Sequence, residues 1–329
     1  MLRLLLLLVG CLTISLLVWH IGPGNIYEAA TRLGPVALCV ILIPSLVMYA
    51  IEAYGWKITL GPTGESVSFL RVFAVRTAGE VVNMTTPTAY VGGEPLKAYL
   101  LQKAGVPIVE GMASVVIAKT TMTIAQVLFI LLGIALGLCI LGAQGSSGQM
   151  IAAGLLSIGL LAFGTVAFVF VQRRGLFTWT LETVRRIGLR IEFLESREEK
   201  LRSIDRTILD FYTHHQTAFY ASIGLYFLGW LAEALEVFVI IHYLGGPAEV
   251  WSAISIGALS VFIKGGTFFI PGSLGAQDGG NLLLLQAFGY SDVTGITFAL
   301  LRRFRELVWI GIGLLCLSVA GKVAAPDEL

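Results

Sequence analysis

The chain of 329 residues is 56% apolar and 13% charged, with mean hydropathy +0.84, where soluble domains carry about 25% charged residues. That composition excludes an ordinary soluble domain. It also excludes an open sheet as the spanning unit, because lipid offers no partner for unpaired backbone groups. The net charge of +1 gives no ground for a nucleic-acid partner, so only the distribution of charge is informative.

Six apolar runs reach the roughly 20 residues that a helix needs to cross the hydrocarbon layer. In chain order they are 4–21, 35–56, 112–141, 150–171, 217–244 and 293–320. The first is followed directly by WHIGPG with no small-residue cleavage site, which predicts a retained span rather than a removed signal peptide. Residues 22–34, 142–148 and those near Gly246 are predicted loops on the outer side, with Arg32 their only basic residue. The connection 172–216 gathers Arg173, Arg174, Arg185, Arg186, Arg190, Arg197, Lys200, Arg202 and Arg206 among acids such as Glu182, Glu195 and Asp205. The positive-inside rule places that segment in the cytoplasm, as an amphipathic surface near anionic headgroups. Six spans then put both chain ends inside. The cysteines lack CxxC spacing and no HExxH, GxSxG or P-loop pattern occurs, so no metal, no cofactor and no catalytic constellation is expected.

Two stretches interrupt the apolar pattern, and they match each other without a gap at an offset of 184 residues. Pro87 falls on Pro271, Glu94 on Asp278, Leu100 and Leu101 on Leu284 and Leu285, Gln102 on Gln286, Gly105 on Gly289, and Lys119 on Arg303. Each copy reads as a moderately apolar helix (69–84 or 251–269), a break around the proline, a short helix (94–103 or 278–288) and a span bearing a base. A helix of about ten residues is roughly 15 Å long and cannot cross, so each copy is predicted to enter and return. Three spans separate the copies, and this odd number makes them inverted. The predicted fold is therefore an all-α polytopic membrane protein, with about six full spans and two inverted re-entrant hairpins. It forms one integral membrane domain over 1–329, with repeat 1 at about 68–141 and repeat 2 at about 251–320.

Charges at bilayer depth cost roughly 2.5–3.5 kcal/mol each and tend to face the protein interior. Glu52, Arg76, Glu80, Glu94, Lys119, Glu233, Glu236, Lys264, Asp278, Arg302, Arg303, Arg305 and Glu306 are all so placed. Glu94 and Asp278 stand where they could cap the short helices, and Glu80, Glu233 and Glu236 could be counter-ions to Arg76, Lys119 or Arg303. Glu233 and Glu236, three apart, share a helix face beside which an aqueous cavity is expected. Free N–H groups at the half-helix ends, with Arg76, Lys97, Lys119 and Arg303, predict a cationic pocket for an anionic or polar lipid headgroup.

The blocks RTAGEVVNMTTPTAYVGGEPLKAYLL (Arg76 to Leu101), FFIPGSLGAQDGG and ALLRRFRELVW resemble the signature blocks of the flippase-like membrane domain family. That family includes the translocating domain of lysylphosphatidylglycerol synthetases and membrane proteins encoded beside hopanoid biosynthesis, and the likeness is nearer to the second branch. The resemblance implies lipid translocation or trafficking in a bacterial inner membrane. It carries the family pattern onto Arg76, Gly79, Asn83, Pro87, Gly92, Gly93 and Glu94, then onto Pro271, Gly275, Asp278 and Arg303. Asp278 and Lys119 depart from the glutamate and arginine common there. No aminoacyl-transferring domain is matched, so synthesis of a modified lipid is not expected. A lipid translocase with membrane lipid as its substrate is the leading expectation. A membrane-embedded lipid-modifying enzyme and an ion-coupled solute transporter remain open.

Overall fold

The computed structural model describes residues 19, 22–86, 92–142, 148–173, 175–186, 197–267, 273 and 275–320. These are helical throughout, with no strand among the described residues. The helices are α1 (Pro23–Lys57), α2 (Phe69–Thr85), α3 (Gly93–Gln102), α4 (Ile108–Gly142), α5 (Gly148–Arg173), α6 (Leu176–Arg186), α7 (Glu198–His214), α8 (Gln216–Tyr243), α9 (Val250–Gly266), α10 (Ala276–Ala287) and α11 (Asp292–Ala320). Apart from residue 19, the predicted first span, 4–21, lies outside the described residues, as do the two prolines Pro87 and Pro271.

Among the described residues, three helical stretches are long and apolar enough to cross a membrane: Leu33–Glu65, Ile108–Gly142 and Gln216–Tyr243. A fourth candidate is the pair Leu156–Gln172 and Leu176–Thr183, bent by 88°. Large apolar side chains such as Val36, Leu70, Leu156, Phe163 and Leu315 point outward, as lipid-facing residues do. The predicted loop 22–34 is instead helical. Pro23 opens α1, and the chain kinks at Gly34 (φ 77°, ψ 162°) just before Pro35. Proline cannot continue the hydrogen-bond ladder, and only glycine takes that positive φ without strain.

The two short helices end alike. After α3, Gly105 (φ 89°) donates its N–H to Gln102 and Val106 donates to Leu101; after α10, Gly289 (φ 83°) donates to Gln286 and Tyr290 to Leu285. Both are Schellman caps, in which a left-handed glycine lets the chain satisfy the last carbonyls, and the four bonds stand 184 residues apart in register. Packing follows the same pattern: α3 lies against α2 and α4, and α10 against α9 and α11, while α2 packs on α11 and α9 on α4.

Along three helices a polar layer separates two apolar clusters. On α1, Ile41 lies in one cluster and Trp56 in the other, with Ser45, Tyr49 and Glu52 between. On α8, Glu233 and Glu236 lie between Trp230 and Val237; on α11, the charged run Arg302 to Glu306 follows Leu301 and precedes Leu317. Burying apolar surface on both sides, at about 25 cal/mol per Å² relative to water, holds the layer in place but contributes less against lipid.

In the basic connection, Asp205 of α7 ties down the start of α6. Its carboxylate accepts from the N–H groups of Phe177 (3.1 Å) and Thr178 (2.8 Å) and from the Thr178 hydroxyl (2.7 Å). Asp205→Ala should therefore destabilise α6 by about 1–2 kcal/mol, seen as faster amide exchange confined to residues 176–186. Unchanged exchange there would show that the cap carries no weight. On the exposed side, hydrogen bonds from Arg202 and then Arg185 hold the Glu198 carboxyl below the ordinary glutamate pKa, so this contact persists above that range and is lost as pH falls through the lowered value.

Candidate functional site

The polar layer encloses a cavity of about 270 Å³ walled by six helices. Its carboxylates are Glu52, Glu80, Glu233 and Glu306, and its bases are Arg76, Lys119, Lys264 and Arg305. The rest of the wall includes Met48, Met84 and Met122, with Tyr49, Trp230 and Trp309. Methionine and aromatic side chains are polarisable and adaptable surfaces for an amphipathic guest. A smaller space of about 20 Å³, bordered by Glu94, Lys97, Lys119 and Glu80, adjoins it and is of the size for about one water.

The helical period delivers these groups. Arg76, Glu80 and Asn83 are spaced i, i+4, i+7 on α2, as are Lys119, Met122 and Gln126 at i, i+3, i+7 on α4, so each set shares a face. Arg76 pairs with Glu52 and lies over the Tyr49 ring, 5.1 Å from its centroid. The other side of Tyr49 stacks on Trp309 at 3.7 Å, and the Trp309 indole donates to Ser45 at 2.9 Å. This column fixes the arginine's position.

Behind Glu80, α2 and α3 meet backbone to backbone. The Asn83 side chain accepts the Gly93 N–H at 2.7 Å and donates to Glu94 (3.1 Å) and Glu80 (3.3 Å). Glu94 receives Lys97 at 3.1 Å and Lys119 at 3.6 Å, and Lys97 also reaches Glu80 at 3.6 Å. At the positions 184 residues on, Arg303 holds Asp278 at 2.7 and 3.0 Å. It also donates to Glu306 at 2.6 Å, which in turn meets Lys264 at 3.5 Å. A ladder joins α8 to α11: Glu233 pairs with Arg302, and Glu236 with Arg305 at 2.7 Å.

Three expectations from the sequence need correction. The cavity is not cationic, because its four bases face four carboxylates. At each short-helix N-terminus one N–H is already engaged, Gly93 donating to Asn83 and Gly275 to Asp278. Glu94 is not a cap either, as its carboxylate turns to side chains, whereas Asp278 both caps α10 and pairs with Arg303. Of the residues singled out, Glu52, Arg76, Glu80, Lys119, Glu233, Lys264, Arg305 and Glu306 line the cavity. Asn83, Gly93, Glu94 and Lys97 stand behind it, next to the N-cap Gly92. Gly275, Asp278 and Arg303 form the second cluster, and Glu236 is fully buried behind Arg305. Glu233 and Glu236 pair with Arg302 and Arg305 rather than with Arg76, Lys119 or Arg303. Tyr49, Trp230 and Trp309 were not anticipated; the i, i+4, i+7 spacing of Ser45, Tyr49 and Glu52 is the signal that could have found the first.

The sequence profile of the lysylphosphatidylglycerol synthase TM region matches residues 3–313. The chain belongs to this family. A UPF0104 membrane protein of Methanothermobacter thermautotrophicus is 24% identical over 297 residues, 88% of this chain and 86% of the relative. A UPF0104 membrane protein of Methanocaldococcus jannaschii is 28% identical over 126 residues, 38% of this chain and 37% of the relative. No solved structure matches. The family, the composition and the apolar helices together make this a membrane protein with a lipid-related function. Within such a family member, the paired charges at the centre have a physical requirement to meet. Ions in a low-dielectric layer persist only when partnered, and each ion of this cavity has an opposite charge within 4.0 Å.

Proposed function

We propose that the protein is a lipid translocase of the bacterial cytoplasmic membrane, passing a polar headgroup through the central cavity while the tails stay in lipid. The observation that carries this reading is the cavity itself: four carboxylates and four bases share its wall with three methionines and three aromatic rings, and Glu94 and Lys97 of α3 border the small space adjoining it. Its volume of about 270 Å³ is near the lower end of small-molecule pockets, about 300–1,000 Å³, which suits a headgroup better than a whole lipid. The reading includes six full spans with both ends in the cytoplasm and two inverted re-entrant hairpins meeting at the cavity. The matching Schellman caps and the corresponding pairs Glu94 with Lys119 and Asp278 with Arg303 support an internal repeat. Transport without chemistry is part of the proposal, because each carboxylate on the cavity wall lies within 4.0 Å of a guanidinium or ammonium, an arrangement for holding charge. The hopanoid-associated branch and its lipids remain one candidate source of cargo.

Headgroup exposure in proteoliposomes made with one-sided labelled lipid tests the reading. Wild-type protein should speed exposure well above empty vesicles, and Glu94→Gln and Arg303→Ala should bring it close to the empty-vesicle rate. Glu94→Gln keeps the side-chain shape, so it separates lost charge from lost folding. Equal rates in all three proteins, or no rate above empty vesicles, would overturn the reading.

A further inference from the structure

We infer that the headgroup this cavity accepts is zwitterionic, a phosphodiester anion with a single ammonium and no net charge, its phosphate taken by Lys119 and Lys264 and its ammonium by Glu80. The inference rests on the translocase reading for its setting and on the charges of the wall for its content. Four carboxylates face four bases across the cavity. A guest bearing net charge would leave one ion uncompensated where the dielectric is low, whereas a zwitterion exchanges protein pairs for protein–ligand pairs and leaves none.

The ion pairs differ in how readily they can be exchanged. Lys119 and Lys264, with side chains 31% and 27% exposed, are held at 3.6 and 3.5 Å. The guanidinium pairs to Glu236, Glu306 and Asp278 close at 2.7 Å or less. If Lys119 turns to a phosphate, Glu94 keeps Lys97 at 3.1 Å and Asn83 at 3.1 Å. If Lys264 turns, Glu306 keeps Arg303 at 2.6 Å. Neither move strands a carboxylate. At the other pole, the Glu80 side chain is 17% exposed, against 3–7% for the other three carboxylates of the wall, and its ion pair to Lys97 is 3.6 Å long. Lys97 retains Glu94 when Glu80 takes an outside ammonium. One lysine comes from α4 and the other from α9, two helices that already pack together, so a single phosphate would bridge them while the guanidiniums stay fixed.

The test uses the full chain in detergent, with soluble short-chain phosphatidylethanolamine, phosphatidylglycerol and lysylphosphatidylglycerol as probes. Binding is read from the fluorescence of Trp230 and Trp309, which line the cavity. The ethanolamine lipid should bind about tenfold more tightly than the anionic glycerol lipid or the net-cationic lysyl lipid. Glu80→Gln, which leaves the wall one positive charge in excess, should weaken the ethanolamine lipid and strengthen the anionic glycerol lipid so that their order reverses; Lys119→Gln with Lys264→Gln should weaken both. Equal or tighter binding of either charged lipid to the wild type overturns the assignment, and that comparison needs no variant to fold. The proteoliposome assay keeps the two readings apart. Selective binding with no exposure of any lipid removes the translocase reading and leaves the headgroup assignment standing. Faster exposure of the glycerol lipid than of the ethanolamine lipid removes the assignment and leaves the translocase.

Discussion

Arg305→Met should lower the unfolding temperature of the purified protein more than any single change on its outer surface. Glu236 is completely buried; its Oε2 accepts from Arg305 at 2.7 Å, and its Oε1 has no hydrogen-bond partner among the described residues. Arg305 is thus the group that compensates this carboxylate, and it also stands 4.0 Å from Glu233. Removing one partner of a buried pair leaves an ion without solvent or counter-charge, at a cost of about 3–5 kcal/mol. Replacing both members with apolar residues of similar volume avoids that penalty, so Glu236→Leu combined with Arg305→Met should recover most of the lost stability. The pair of Arg185 with Glu198, exposed on the basic connection, is the control, and Glu198→Gln should leave the unfolding temperature where it was. Thermal unfolding in detergent of these four proteins decides the matter. If Arg305→Met unfolds with the wild type, or if the double variant is no better than the single one, the buried pair does not hold α8 to α11 as described.

That pair also marks the boundary of what the sequence could tell. Local signals are legible in the sequence. The short helices expected at 94–103 and 278–288 form at Gly93–Gln102 and Ala276–Ala287, because a glycine-proline break before and a left-handed glycine after are punctuation written in neighbouring residues. Apolar length placed the helices of 35–56, 112–141 and 217–244 inside stretches long and apolar enough to cross. The helix over Pro23 to Leu33 was missed, since glycines and polar residues there resemble a loop and no apolar run announces the element. Which charge meets which was not legible. Glu233 finds Arg302 and Glu236 finds Arg305 across 69 residues of chain, and that follows from packing alone. The cationic pocket fails for the same reason: the bases stand near the short-helix ends, while Glu52 on α1 and Glu233 on α8 are brought to the cavity by packing.

A close contact of two backbones makes the second expectation steep. A Cβ on Gly93 would lie 2.0 Å from the Gly79 carbonyl oxygen, 2.8 Å from its carbon and 2.9 Å from the Asn83 Oδ1 that accepts the Gly93 N–H. These obstacles are backbone and a hydrogen-bonded amide, so none can swing aside, and Gly93→Ala must push α3 away from α2. The displacement stretches the bonds from Asn83 to Gly93 and Glu94, and through Glu94 the contact with Lys119 on the cavity wall. Overpacking of this kind costs about 1–3 kcal/mol, occasionally more, and loss of the Asn83 anchor adds to it, so the variant should unfold early and expose headgroups at the empty-vesicle rate. Two other glycines calibrate the result. At Gly280 the nearest atom is the Cγ2 of Ile263 at 2.8 Å, part of a side chain that can repack, and at Gly111 nothing lies nearer than 3.6 Å. The expected order of damage is Gly93→Ala, then Gly280→Ala, with Gly111→Ala neutral or slightly stabilising, because alanine is preferred to glycine inside a helix by about 0.5–1 kcal/mol. A Gly93→Ala protein as stable as Gly111→Ala would mean that α2 and α3 do not touch at this point, and the seating of Glu80 and Glu94 beside the cavity would have to be redrawn.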